Sequence, residues 1–187
     1  MPRVLMIILA ILYSFGVMAQ DTELKLYRPF GGAEQQIPLI IDKRLSGECW
    51  QQSQRIARED AWRCLAEGQV FDPCFIKKFS DNTEALCPQS PWVGRSVLLK
   101  LNTAADNSQH TELDMSRAYP WAVELLSGEQ CEAARQSETI ENLPVRYYCS
   151  DQTILMGHLQ RCKTEWTILK RDTAGRVTTV SVKKAWF

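Results

Sequence analysis

Seven cysteines and two histidines are the residues of this 187-residue chain best suited to chemistry. The cysteines are Cys49, Cys64, Cys74, Cys87, Cys131, Cys149 and Cys162; the histidines are His110 and His158. Such a set could bind a metal, catalyse through a thiolate, or oxidise to disulfides. No CxxC occurs, which removes the commonest zinc-ribbon spacing and the thioredoxin-like redox pair. No metal ligands and no cofactor are therefore expected. Thiolate catalysis needs a base within hydrogen-bond reach of the sulfur. His158 precedes Cys162 by four residues, about 13 Å along an extended strand, so contact would need a turn at Gln160-Arg161. His110 lies in a polar connection and reads as a solvated loop histidine. Among carboxylates, Glu59-Asp60 reads as a capped helix start, Asp72-Pro73 as an Asx-type turn, and Glu124 as an outward strand residue. None is paired in sequence in a way that raises a pKa, and no GxSxG, P-loop, GxGxxG, HExxH or EF-hand pattern appears. No catalytic residue is assigned.

Disulfides remain, and the start of the chain supports them. Arg3 is followed by an unbroken apolar run over residues 4–13, and Val17-Met18-Ala19 offers compact residues for cleavage. That is the three-part pattern of a secretory signal. Residues 4–19 are too short and interrupted to span a bilayer comfortably, so residues 1–19 read as a signal peptide. No membrane span is expected after its removal. Gln20, not cysteine, follows the cut, which gives no support to lipid attachment. The mature 168 residues, having lost Arg3 alone among charges, hold 21 basic against 22 acidic side chains. Such a balance offers no bulk attraction to nucleic acid.

In an exported chain the default for cysteines is a disulfide framework. The sequence leaves connectivity open, but short loops favour Cys49–Cys64, Cys74–Cys87 and Cys131–Cys149. A closed loop of roughly 15 residues constrains the unfolded chain by about 3 kcal/mol. Cys162 is then the odd thiol, expected to be buried and inert.

The elements that must position these sulfurs fall into two halves. Residues 20–46, broken by Pro29, Gly31, Gly32 and Pro38, read as an extended arm or leader in which Ile40 and Ile41 could dock as a short edge strand. Residues 47–187 read as a single stapled domain. In its first part Ala57, Ala61, Cys64 and Leu65 fall on one helical stripe, with Asp60 as a cap and Gly68 as a stop. A short helix is therefore expected within 49–68, with Cys64 facing inward and Trp62, Phe71 and Phe75 around the sulfurs. From residue 96 onward the signals are strands: 96–102, a hairpin over 120–134 turning at Ser127-Gly128, then 145–150, 153–159, 164–172 and 176–187. Residues 103–116 are a polar connection. The step from Val177 to Val180 breaks alternation and suggests a bulge. The fold class is mainly β, a small antiparallel barrel or sandwich with one short helix in the cysteine-rich N-terminal half.

Tryptophans are the best hint of binding. Trp50 and Trp62, beside cysteines, read as shields for disulfides. Trp92 and Trp121, each after a proline, are the candidate ligand-facing residues. The order GECW, DAWRC, DPCF, PWAVELLSGEQC, YYCSD and a closing AWF resembles a family of uncharacterised exported bacterial proteins, from about Gly47 to Phe187. The resemblance supplies counterparts for six cysteines, none for Cys162, and no activity. Together these point to an exported, periplasmic or secreted, non-enzymatic domain that binds a partner in the bacterial envelope or outside the cell. A small exported hydrolase or thiol enzyme is the alternative.

Overall fold

The computed structural model describes residues 20–31 and 37–187. The expected signal peptide lies outside the described residues. Thirteen strands run through them: β1 (Glu23–Lys25), β2 (Ile40–Gln52), β3 (Ala61–Ala66), β4 (Gln69–Ile76), β5 (Glu84–Ser90), β6 (Val93–Leu101), β7 (Ala122–Leu125), β8 (Gln130–Ala133), β9 (Thr139–Ile140), β10 (Leu143–Cys149), β11 (Ile154–Gln160), β12 (Trp166–Arg171) and β13 (Val177–Trp186). They close into two barrels. The first has the order β2-β3-β4-β5-β6, sealed by parallel pairing of β6 with β2. The second runs β7-β8-β10-β11-β12-β13 and is sealed by β13 on β7. β1 continues this second sheet, parallel to the end of β13 just beyond the reach of β12.

The short helix expected within 49–68 is not formed, and no helix is present among the described residues. The stretch is strand, loop and strand. In β3, Trp62, Cys64 and Ala66 are buried at every second position, the period of a strand rather than a helix. Glu67 and Gly68, with φ of 49° and 74°, make the tight turn between β3 and β4. Two consecutive positive φ values mark a two-residue hairpin, so the glycine read as a helix stop is a hairpin residue. Residues 53–60 are held as a loop by side chains that compete with helical hydrogen bonding. Ser53 Oγ accepts the N–H groups of Arg55 and Ile56 at 3.1 and 3.2 Å.

The arm boundary at residue 47 runs through β2, whose first half pairs with β6 from Ile40 to Gly47. Gly47 sits where β2 meets the end of β3. A Cβ there would fall 2.4 Å from the Leu65 carbonyl oxygen, so only glycine permits the approach. In the second barrel the expected hairpins are present, but the bulge is elsewhere. β12 and β13 pair in unbroken register from Trp166↔Val182 to Arg171↔Val177. The irregularity lies on the opposite edge of β13, between Val182 and Lys184 against β7. It carries the buried positions from Val182 to Ala185 and Phe187.

Three disulfides cross-link adjacent strands. Cys49–Cys64 joins β2 to β3, Cys74–Cys87 joins β4 to β5, and Cys131–Cys149 joins β8 to β10. These are the pairs that short loops favour, and they are consistent with an oxidising compartment. Cys162 is free and exposed, in the bend 161–165 between β11 and β12, where burial was expected. A polar loop with few apolar neighbours offers it no core to enter.

The barrels share one core. Ile56, Ala61 and Phe75 of the first pack with Trp121, Tyr147, Leu155, Ile168 and Phe187 of the second. Tyr27, Phe75 and Trp121 meet ring to ring, with centroids 5.3 to 6.2 Å apart. Burial there pushes the Tyr27 phenol up to about 12. Phe75 thus faces the second barrel rather than the sulfurs. Trp62 and Phe71 do pack in the smaller core that holds Cys64, Cys74 and Cys87.

Arg58 crosses this junction. Its guanidinium lies 4.8 Å over the Phe75 ring, donates to the Tyr27 and Phe187 carbonyl oxygens at 2.6 and 3.2 Å, and pairs with Asp60 at 2.6 Å. The pair is almost wholly buried.

Candidate functional site

Where the two barrels meet, three adjoining hollows of about 630, 880 and 420 Å³ all have Arg55, Arg135 and Gln136 on their walls. They form one cleft. Volumes of several hundred Å³ are the scale of small-ligand sites.

Arg55 sits at the junction and is 7% exposed. Its Nη1 donates to the Asp72 carbonyl oxygen at 2.9 Å, and its Nη2 to Glu132 Oε2 at 3.1 Å. One contact lies on β4 of the first barrel, the other on β8 of the second. Its Nε–H has no partner among the described residues. A buried donor left unpaired is costly, about 1–3 kcal/mol.

The Asp72 carboxylate holds the loop that carries Arg55. It accepts the Ser53 hydroxyl through Oδ1 and the Gln54 N–H through Oδ2 at 3.1 Å. Burial holds this carboxyl above the ordinary range, against those hydrogen bonds, which pull the other way. Both oxygens are occupied in tying down the loop, so Asp72 positions Arg55 rather than serving as a free acid.

The floor of the 630 Å³ hollow is the outer face of the second barrel. Gln130 and Glu132 alternate with buried Cys131 along β8. Tyr148, 47% exposed, alternates with buried Tyr147 along β10. The Tyr148 hydroxyl donates to Glu138, and that carboxylate raises the phenol above its usual range. Trp92, in the turn between β5 and β6, forms the wall from the first barrel. Its ring meets Trp186 edge-on, with centroids 5.4 Å apart. Arg135 is exposed and makes no ion pair among the described residues.

The two tryptophans singled out by sequence therefore part company. Trp92 lines the cleft. Trp121 does not: it is fully buried in the shared core. Its backbone N–H donates to Trp186 O at 3.0 Å and its backbone carbonyl accepts from Ala133 N at 2.8 Å, so the ladder begins immediately after Pro120 and turns the indole inward. Of the cysteine neighbours, Trp62 is buried beside the sulfurs, whereas Trp50 is 46% exposed and lies under Arg63. Trp50 is no shield, because successive strand residues point to opposite faces.

His110 is half-buried rather than solvated. Its ring lies 4.1 Å from Trp62 and its Nδ1 is 3.0 Å from Glu59 O, which pins the connection between the barrels to the first one. His158 and Cys162 are both exposed and share no hydrogen bond among the described residues. Glu59 accepts from Lys78 and from Leu113 N, Asp60 is held by Arg58, and Glu124 pairs with Lys183 at 2.7 Å. These carboxylates do not converge on the cleft. Asp42, Glu67, Asp72, Glu132 and Glu138 line its three hollows instead.

Sequence reading missed Arg55, Arg135 and Gln136. Tyr148 alone carried a signal, since a strand over 145–150 must turn one of its paired tyrosines outward. Set against protein-family models, curated proteins and solved structures, the chain finds no match.

Proposed function

We propose that this protein is an exported, non-enzymatic binding domain of the bacterial envelope or extracellular space, and that it takes its ligand in the cleft between the barrels. One observation carries the reading: Arg55 is buried, bonded to both barrels, and lies on the wall of all three hollows. Site and junction are thus one structure, held in advance of any ligand. Preorganisation of that kind suits binding, because little ordering remains to be done. The three disulfides and the sequence of residues 1–19 support export. The same features support a partner in that compartment, with neither nucleic acid nor membrane span involved.

A photo-cross-linking amino acid placed at Gln136, with exposed Thr178, which lines none of the three hollows, as control, tests the reading in producing cells. The expected result is a discrete adduct from position 136 and none from 178. Equal labelling from both positions, or none from either, would refute a cleft-centred function.

A further inference from the structure

We infer that the ligand of this cleft is an uncharged saccharide chain. The inference rests on the binding reading above and deepens it. The 630 Å³ hollow joins two features seldom combined on a plain surface: aromatic rings and planar polar groups with balanced charge.

The rings are Trp92 and Tyr148, one from each barrel. A pyranose has C–H faces that pack well on such rings, while its rim carries hydroxyls that both donate and accept. Adjacent hydroxyls match planar groups able to make two hydrogen bonds at once. Gln130 and Gln136 offer carboxamides and Arg135 a guanidinium group, while Glu132 and Glu138 keep one carboxylate oxygen each beside their bonds to Arg55 and Tyr148. Two positive and two negative side chains leave the hollow without net charge, so neither an anionic nor a cationic ligand gains net attraction there.

An extended peptide is the rival occupant, and the backbone disfavours it. Strand addition needs free N–H and C=O groups along an edge. The open seam at the adjoining 880 Å³ hollow runs between β4 and β5, which pair only at Phe75↔Leu86 and Ile76↔Ala85. Beyond those pairs the seam carries Pro73 and Pro88, which have no N–H, and the Asp72 carbonyl already accepts from Arg55.

The test uses the oxidised chain and four probes: tetra-N-acetylchitotetraose, cellotetraose, tetragalacturonate and the peptide (Val-Thr)4. Binding is read by tryptophan fluorescence and calorimetry. The two neutral sugars separate an amino-sugar polymer from a plain hexose polymer as the source. The expected result is binding of at least one neutral sugar, weakened roughly tenfold or more by Tyr148→Ala and by Gln136→Ala. Raising salt should change that affinity by less than about twofold, since an uncharged ligand forms no ion pair with the site for salt to screen. Both replaced side chains are exposed, so the fold should survive; Trp92→Tyr provides a third variant that keeps a ring against Trp186. Failure of both neutral sugars, preference for tetragalacturonate or the peptide, or unchanged affinity in both alanine variants would overturn the inference. Cross-linking from Gln136 to a protein, with the sugars inert, would sink the saccharide while leaving the binding function standing.

Discussion

The two barrels solve the same problem by different means. The first has a small core in which Cys64, Cys74 and Cys87 take places that large side chains fill elsewhere, with Trp62 its one fully committed ring. Two of the three disulfides are here. The second barrel has Trp121, Tyr147, Leu155, Trp166, Ile168 and Phe187 inside and a single bridge, whose Cys131 is buried among them. Each large apolar side chain fully buried contributes about 1.5–3 kcal/mol, and each short bridge about 3 kcal/mol through the unfolded chain. Two bridges therefore offset the loss of two or more aromatic side chains. Cross-linking stands in for core volume where a five-stranded barrel has little of it.

The largest effect should come where the barrels share a core. Phe75→Ala removes a side chain of the first barrel from the shared core, and should cost about 3–5 kcal/mol. Both barrels are expected to lose stability together, as read by hydrogen exchange in β5 and in β12. Loss confined to the first barrel would show that the cores are separable.

Arg58 comes next. Arg58→Met alone strands the buried Asp60 carboxylate and should cost about 3 kcal/mol or more, whereas Arg58→Met with Asp60→Leu should recover most of it. Equal losses in the single and double variants, measured by urea unfolding, would mean that the pair is not the linchpin described.

The disulfides follow. Replacing Cys74 and Cys87 by alanine, or Cys131 and Cys149, removes about 3 kcal/mol in either case by loop entropy, since the loops span 13 and 18 residues. The distribution should differ. Loss of the first bridge should expose most amides of β4 and β5 to exchange, while loss of the second should leave β11 to β13 protected by their own core.

Smallest is the response to acid, and its sign differs between regions. The Asp72 carboxyl is raised by burial, so its contribution to stability is complete below the ordinary carboxylate range and is lost as pH rises through its folded value. Glu129, in the turn between β7 and β8, is lowered by the hydrogen bonds of Lys170 and Ser127. Its contribution is present above the ordinary range and is lost as pH falls through its folded value. Asp72→Asn should steepen the net loss of stability on acidification, and Glu129→Gln should flatten it. Denaturation midpoints across pH 3 to 7 check both.

Sequence patterning was legible where buried and less buried residues alternate, as in β12, where Trp166 and Ile168 are buried and Thr167 and Leu169 less so. It failed at β3, where Ala61 faces the shared core and Trp62, Cys64 and Ala66 face their own. Ala61 adds a buried residue out of phase with that alternation, and in the sequence Ala57, Ala61, Cys64 and Leu65 mimic a helical stripe. Trp121 was misplaced for a related reason, because its inward turn depends on pairing with Trp186, across the length of the second barrel. Arg55 was invisible because its partner Glu132 lies 77 residues away. Cleft residues drawn from both barrels leave no local signature.

The claim beneath all of this is that oxidation outside the cytoplasm joins six sulfurs in three adjacent-strand bridges and leaves one thiol exposed. Non-reducing peptide mapping of the protein purified from its producing cells, after alkylation, tests that directly. The expected map begins at Gln20, shows Cys49–Cys64, Cys74–Cys87 and Cys131–Cys149, and finds Cys162 alone alkylated. Seven alkylated cysteines, or a chain that still carries residues 1–19, would contradict it.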